Sequence, residues 1–353
     1  MTPLTLDASD YTPSNPYQYL EVDAFLRDFA ASQALAAAVK LGLIEELRSR
    51  GPLPTDDLSE FLGQNSDPLL LIRILETNEV VHEESDGWQL TPAFKCIAPF
   101  SDYLLSKIEF SNLISSDLQE HFDLFVTDMS QFMRSAEVFE LFGYHRCFDV
   151  TEENLTTTHR WMRFTTALTR HEARVVAAET DFSSVNSVLD IGGNSGEFVL
   201  QLCKSNPHLA ATVVDLPVVC AIGEKHLAME TERERISFHV ADAIREPLPS
   251  GFDMVTFKSL LHDWPIQGVD LFLEKGVASL ATGGRLLIFE RGPLNLGTDV
   301  VDYSMIPMLL FNRSFRPPDH YINTLARLGL QDISIREIQL DTPFYLIEAV
   351  KAS

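Results

Sequence analysis

The hydrophobic pattern divides the chain in two. From residue 181 onward, apolar residues gather in short runs separated by stretches with helical spacing. Val188, Leu189 and Ile191 form one such run and suit a strand buried on both faces. Further runs at 209–216, 236–240, 252–257, 285–290, 332–337 and 344–350 predict six more strands. Between them, 197–203, 267–280 and 319–328 carry apolar residues at helical spacing, and Gly283-Gly284 reads as the stop of the second of these. This alternation predicts an α/β fold.

Before residue 181 the pattern is mainly helical. Residues 1–18 are polar and proline-bearing, an arm expected to lie on a partner or on the surface. Helical spacing over 22–47 predicts a first helix, whose alanine run at 34–38 permits close packing. Pro54-Thr55-Asp56 opens another helix and Ser66-Asp67 a third. The stretch EVVHEESDGWQLT at 79–91 predicts two short strands about a Ser-Asp-Gly turn. Helices continue through 100–180, broken by a loop at 141–149 that carries Gly143, Tyr144, His145 and Arg146. Boundaries follow at 1–110, 111–180 and 181–353.

Charge narrows the partners. Across 353 residues, 27 Lys and Arg stand against 51 Asp and Glu, a net charge of −24, which argues against nucleic acids and anionic membranes. Three helices with a β-wing resemble a winged-helix module, a shape that binds DNA in many proteins. Here it offers Arg48, Arg50 and Arg73 amid many acids, so the DNA reading fails. No run approaches a membrane span, and the N-terminus lacks the basic start and apolar core of a signal peptide. Cys96, Cys147, Cys203 and Cys220 are scattered, with no CxxC and no histidine at ligand spacing. Reduced thiols in the cytoplasm, and no metal site, are expected.

The candidate chemistry lies at the carboxyl ends of the predicted strands. After the first come Gly192, Gly193 and Gly196 and then a helix, an order that suits a nucleotide-like cofactor. Asp215, 19 residues after Gly196, stands where a ribose diol is gripped. Asp242 and Ala243 follow the third strand and Lys258 the fourth. With Asp190, three carboxylates and a lysine are placed on the rim where open α/β sheets bind ligands.

The motifs VLDIGGNSG, VVDLP, ADAI and FKSLLHDW, in that order, resemble those of S-adenosylmethionine-dependent O-methyltransferases of the caffeate and acetylserotonin type. The resemblance runs from about residue 188 to 348, with a weaker likeness before it. It implies a Rossmann-like catalytic domain with a mostly parallel seven-stranded sheet, behind an N-terminal winged-helix-like domain that pairs two subunits. It also implies S-adenosylmethionine as cofactor, with the glycine loop at Gly192 facing the methionine portion. Asp215 would face the ribose hydroxyls, Asp242 the adenine amine and Lys258 the cofactor near the acceptor, with Ala243 also holding the cofactor. His262 stands where the family keeps a general base, and Glu290, 28 residues on, matches a carboxylate that orients it. The helices of 111–180 would roof the acceptor pocket, with Tyr144, His145 and Arg146 as substrate contacts. Arg146, Arg163 or Arg170 would hold a substrate carboxylate.

One position departs from the pattern. Where plant members carry a second glutamate, this chain has Phe315. That admits acceptors needing no deprotonation, such as a thioether. One branch resembling the family S-methylates methylthiohydroxybutyrate on the route to dimethylsulfoniopropionate. Relatives recruited away from methyl transfer form a further alternative. A metal-dependent C-methyltransferase would need His262, Asp263 and a third ligand, for which His320 is a weak candidate. The main expectation is transfer of a methyl group to a hydroxyl of a small molecule.

Overall fold

The computed structural model describes residues 27–63, 67–297 and 305–352. The expected arm at 1–18 and the first residues of the helix expected from 22 lie outside the described residues. The chain divides into two compact units, 1–108 and 109–353.

In the first unit, α1 (Arg27–Lys40) and α2 (Leu43–Arg50) replace the single helix expected over 22–47. The break is at Gly42, whose φ of 78° lies in the left-handed region that glycine enters without steric cost. α3 (Thr55–Leu62) starts directly after Pro54. α4 (Pro68–Thr77) is capped by Asp67, which accepts from the Leu70 N–H at 3.1 Å. The hairpin β1 (Val81–Glu84) and β2 (Gly87–Leu90) follows, then α5 (Pro92–Ile97). Trp88 on β2 is fully buried among Leu43, Leu47, Leu58 and Ile72, and its indole N–H reaches Thr55 Oγ1 at 3.2 Å. α6 (Ser101–Thr127) carries a kink at His121.

The second unit continues with α7 (Met129–Ser135), α8 (Val138–Leu141), a 3₁₀ turn at Tyr144–Phe148 and the long α9 (Glu152–Glu179). Then come β3 (Ser187–Ile191), α10 (Glu197–Ser205), β4 (Ala210–Asp215), α11 (Pro217–Leu227), β5 (Ile236–Val240) and β6 (Phe252–Lys258). After a 3₁₀ turn at Leu261–Asp263 follow α12 (Ile266–Ser279), β7 (Leu280–Arg291), α13 (Ile306–Leu309), α14 (Asp319–Arg327), β8 (Leu330–Gln339) and β9 (Pro343–Lys351).

Seven strands form one sheet in the order β5-β4-β3-β6-β7-β9-β8. β5 through β7 in that order are parallel, and β9 joins β7 antiparallel, as does β8 to β9. Successive strand residues turn to opposite faces. Val188, Val213, Met254 and Leu287 pack with α9 and α10, whereas Leu189, Val214, Val255 and Leu286 pack with α12 and α14. Chain order reverses on either side of β3. Its carboxyl end is therefore the switch point at which such sheets open a ligand crevice. β7 begins at Leu280, so the Gly283-Gly284 expected to end the preceding helix lies inside the strand. A Cβ on Gly284 would come within 2.9 Å of Ala281 O and 3.0 Å of Phe252 O, so close backbone approach requires glycine there.

Candidate active site

The glycine loop hangs on its neighbour strand. The N–H groups of Gly192 and Gly193 both donate to Val214 O, at 2.8 and 3.4 Å. Gly192, Asn194 and Gly196 all have positive φ, and Gly196 caps α10, a helix buried from Glu197 to Cys203. A Cβ on Gly193 would lie 2.5 Å from Asp190 Oδ2 and 2.9 Å from a Val213 methyl. One on Gly192 would strike both Leu260 methyls at 2.7 Å, so Leu260 packs directly on this loop.

Asp215 ends β4 and ties the loop from the other side. Its Oδ2 accepts from the Asn194 N–H at 2.9 Å and its Oδ1 from the Leu216 N–H at 2.8 Å. Burial nevertheless raises its pKa to about 6, since the two N–H groups offset only part of the desolvation. Asp242 follows β5 and accepts from the Ile244 N–H at 3.0 Å, shaping the turn that presents Ala243. Asp190, one residue short of the end of β3, is fully buried, and Thr256 donates to its Oδ1 at 2.7 Å. Its Oδ2 is buried beside Gly193 with no hydrogen-bond donor among the described residues, and burial lifts its pKa to about 7.

Lys258 ends β6, as expected. Its ammonium lies 2.5 Å from Glu172 and donates to Thr169 Oγ1 at 2.8 Å, both on α9. Glu172 binds Arg291 as well, and Arg291 reaches Asp341 at 2.6 Å. Burial alone would raise the pKa of Glu172, but these two cations hold it below the usual carboxylate range. Lys258 thus pins α9 to the sheet. Nothing in the sequence marked Glu172 as its partner, because it lies in an ordinary helical pattern.

His262 and Glu290 come together as expected. Nδ1 of His262 is 2.7 Å from Glu290 Oε2, and Glu290 Oε1 accepts the N–H groups of Leu260 and Leu261 at 2.7 and 2.6 Å. A fully buried carboxylate at that distance requires the proton on Nδ1, which leaves Nε2 as an acceptor. Asp263 Oδ1 stands 3.4 Å from Nε2. Burial opposes the imidazolium, and Arg291 adds to that opposition. The charges of Asp263 and Glu290 outweigh both, so the pKa of His262 is raised. Phe315 is buried, and its ring meets the imidazole edge to face, centroids 5.2 Å apart.

Tyr144 joins this group from 119 residues away. Its hydroxyl donates to Asp263 Oδ2 at 2.6 Å, and its ring stacks parallel to Trp264 with centroids 6.2 Å apart. Burial first, and then the carboxylates of Asp263 and Asp215, push its phenol well above the usual range, so it remains a donor. His145 beside it is exposed. The expected carboxylate grips are engaged within the protein. Arg146 donates to the carbonyls of Glu140 and Leu141, Arg163 pairs with Glu109 at 2.9 Å, and Arg170 with Glu197 at 3.0 Å. His320 pairs with Asp270 on α12 at 3.1 Å. Among the described residues no three His, Cys, Asp or Glu side chains gather as a metal site, and no helix is long and apolar enough to cross a membrane.

Beyond this group, Phe110, Phe142, Phe164 and Phe311 form a cluster of rings with centroids 5.5 to 6.3 Å apart. Phe142 also meets Trp161, and Trp161 meets Tyr144. An apolar wall thus continues from the His262 group through Trp161 and Phe142 to Phe110, Phe164 and Phe311.

Known proteins resemble this chain in sequence and fold. Residues 125–329 match the family model of an O-methyltransferase domain. A 3-hydroxy-5-methyl-1-naphthoate 3-O-methyltransferase of Streptomyces sahachiroi is 41% identical over 118 residues, 33% of this chain and 34% of that protein. An acetylserotonin O-methyltransferase of Bos taurus is 30% identical over 174 residues, 47% of this chain and 49% of that protein. The aligned stretches therefore span only a third and a half of these relatives. The crystal structure of human N-acetylserotonin methyltransferase in complex with SAM has a TM-score of 0.72 and 22% identity, over 97% of this chain and 100% of that one. That likeness is one of fold. The family model covers more than half of the chain, from the last residues of α6 to just past α14, and the protein belongs to the O-methyltransferase domain family.

Proposed function

We propose that this protein methylates a hydroxyl of a small-molecule acceptor, with S-adenosylmethionine as methyl donor and His262 as general base. One observation carries the reading. The segment from Leu260 to Trp264 both holds the His262–Glu290 pair and packs, through Leu260, on Gly192 of the glycine loop. The base and the cofactor loop are thereby neighbours.

The residues present fit the cofactor. The buried, unsatisfied Oδ2 of Asp190 beside Gly193 suits an ammonium group, and Asp215 keeps acceptor capacity beyond its two backbone bonds for ribose hydroxyls. Asp242 and Ala243 would border the adenine. When bound, the sulfonium supplies an electrophilic methyl group. The protein's part is to align the acceptor, exclude water and receive a proton. As the acceptor oxygen takes the methyl carbon and the carbon–sulfur bond breaks, its electron pair staying on the departing thioether, the hydroxyl proton would pass to Nε2 of His262. Glu290 and Asp263 stabilise the resulting imidazolium, and Tyr144 holds Asp263 in place. The arginines that would have favoured a small acid are paired internally, so no observation moves the reading toward thioether methylation.

The test is transfer of a labelled methyl group to a panel of phenols, catechols, hydroxy acids and a thioether acid. A methyl ether product supports the proposal. Transfer to the thioether alone, or cofactor binding with no transfer, overturns it.

We also infer that the first unit pairs two copies in a cytoplasmic homodimer. Leu41, Leu69 and Leu70 there are about half exposed, an apolar surface of the kind that pairing covers, and all four cysteines are free. Sedimentation should give twice the chain mass, and a monomer at micromolar concentration would refute this.

A further inference from the structure

Glu290 holds the segment around His262 only by its N–H groups. The carbonyls of the same turn have a separate partner. Arg316, in the segment before α14, donates through Nη1 to Leu261 O at 2.8 Å and through Nη2 to Trp264 O. These two carbonyls bracket His262. The adjacent Phe315 is buried with its ring against the imidazole. The turn is therefore gripped on opposite sides, by a carboxylate that accepts three N–H bonds and by a guanidinium that donates to two carbonyls.

We propose that Arg316 is a positioning residue for the base, acting as a clamp that holds the 261–264 turn so that Nδ1 of His262 stays on Glu290 and Nε2 stays toward the acceptor. The chemistry favours arginine. Within the 3₁₀ turn Leu261 O accepts only a long bond, from the Trp264 N–H at 3.4 Å, and a planar fork with five donors can reach it and Trp264 O at once. A lysine ammonium is a point charge that cannot span both with fixed geometry. Phe315 completes the clamp. Where a second carboxylate would hold the imidazole by charge, this chain holds it by packing on one side and backbone capture on the other. Displacing a reacting group by about 1 Å can cost about 10²-fold in rate, so a side chain that never touches the acceptor can control turnover.

The proposal rests on His262 being the base, and its test separates the two claims. Arg316→Met and Arg316→Lys are compared with wild type in two ways. Steady-state kinetics should show kcat falling about 10- to 100-fold, with acceptor KM and cofactor Kd held within about twofold. Nitrogen-15 spectra of labelled histidine, with the His262 signal assigned by its loss in a substituted protein, should show a single Nδ1–H tautomer in wild type and a mixture in both variants. The tautomer is read without any acceptor, so the clamp remains testable in a protein that methylates nothing in the panel. If Arg316→Met fails to fold, Arg316→Lys keeps the charge and supplies the same readouts. A purely structural arginine would lower the melting temperature and leave the tautomer and kcat of the folded fraction unchanged. That result, or wild-type behaviour in Arg316→Lys on both readouts, overturns the proposal.

Discussion

His262→Ala is expected to lower kcat about 10²–10⁴-fold on a hydroxyl acceptor, the usual contribution of a positioned base. S-adenosylmethionine affinity should stay within about twofold, because the imidazole faces Glu290, Asp263 and Phe315 rather than the glycine loop. Transfer depends on the neutral ring, so the wild-type rate should rise with pH through the raised pKa of His262 and then level off. The sign follows from the charges around it: Asp263 and Glu290 favour the imidazolium, so the rise falls above the ordinary histidine range. In the alanine variant the remaining rate should instead climb with hydroxide, without a plateau at that position. Steady-state kinetics across pH with matched calorimetry decides the matter. A variant that keeps wild-type kcat removes His262 from the chemistry, whether the acceptor is a hydroxyl or a sulfur.

How far the sequence reached depends on distance along the chain. The strand expected at 236–240 coincides with β5, and the strand-end positions of Asp215, Asp242 and Lys258 follow from local runs. The resemblance brought His262 and Glu290 together correctly, and their separation on β7 and the β6–α12 turn matches a pair of adjacent parallel strands. Direction was harder to read. Lys258 ends its strand as expected, yet its ammonium turns to α9, because Glu172 and Arg291 form a buried pair of charges that only tertiary packing assembles. Tyr144 reaches Asp263 across 119 residues and Arg316 reaches Leu261 across 55, and no periodic signal encodes either contact. Glycine misled twice for one reason: its presence signals permissive backbone without saying which use is made of it. Gly42 breaks a helix that periodicity extends through, and Gly284 admits close backbone approach inside a strand where a helix stop was expected.

Asp215→Ala is expected to weaken S-adenosylmethionine binding about 100-fold or more. Hydrogen bonds to a charged acceptor contribute about 1.5–3 kcal/mol each, and the substitution removes those to the ribose hydroxyls. It also frees the N–H of Asn194, a non-glycine residue at φ 56° that the carboxylate holds in place, so the glycine loop loosens with the loss. Asp215→Asn should fall between the two, since one amide oxygen survives while the NH₂ group opposes a backbone N–H. Acidity gives a second signature. Burial sets the Asp215 pKa at about 6 in the free protein, and hydroxyl donors favour the carboxylate form. Affinity should therefore fall as pH drops below 6, with a proton released on binding there, and Asp215→Ala should lose that dependence. Unfolding through this group cannot mimic the effect. A carboxyl whose pKa is raised on folding stabilises the folded state most fully below its unfolded value and loses that contribution as pH rises through about 6. The same titration that weakens cofactor binding thus favours the fold. Calorimetry at pH 5 and pH 8, in buffers of different ionisation enthalpy, separates binding from proton release. Unchanged affinity in Asp215→Ala, or wild-type binding that ignores pH across that window, removes Asp215 from the ribose site.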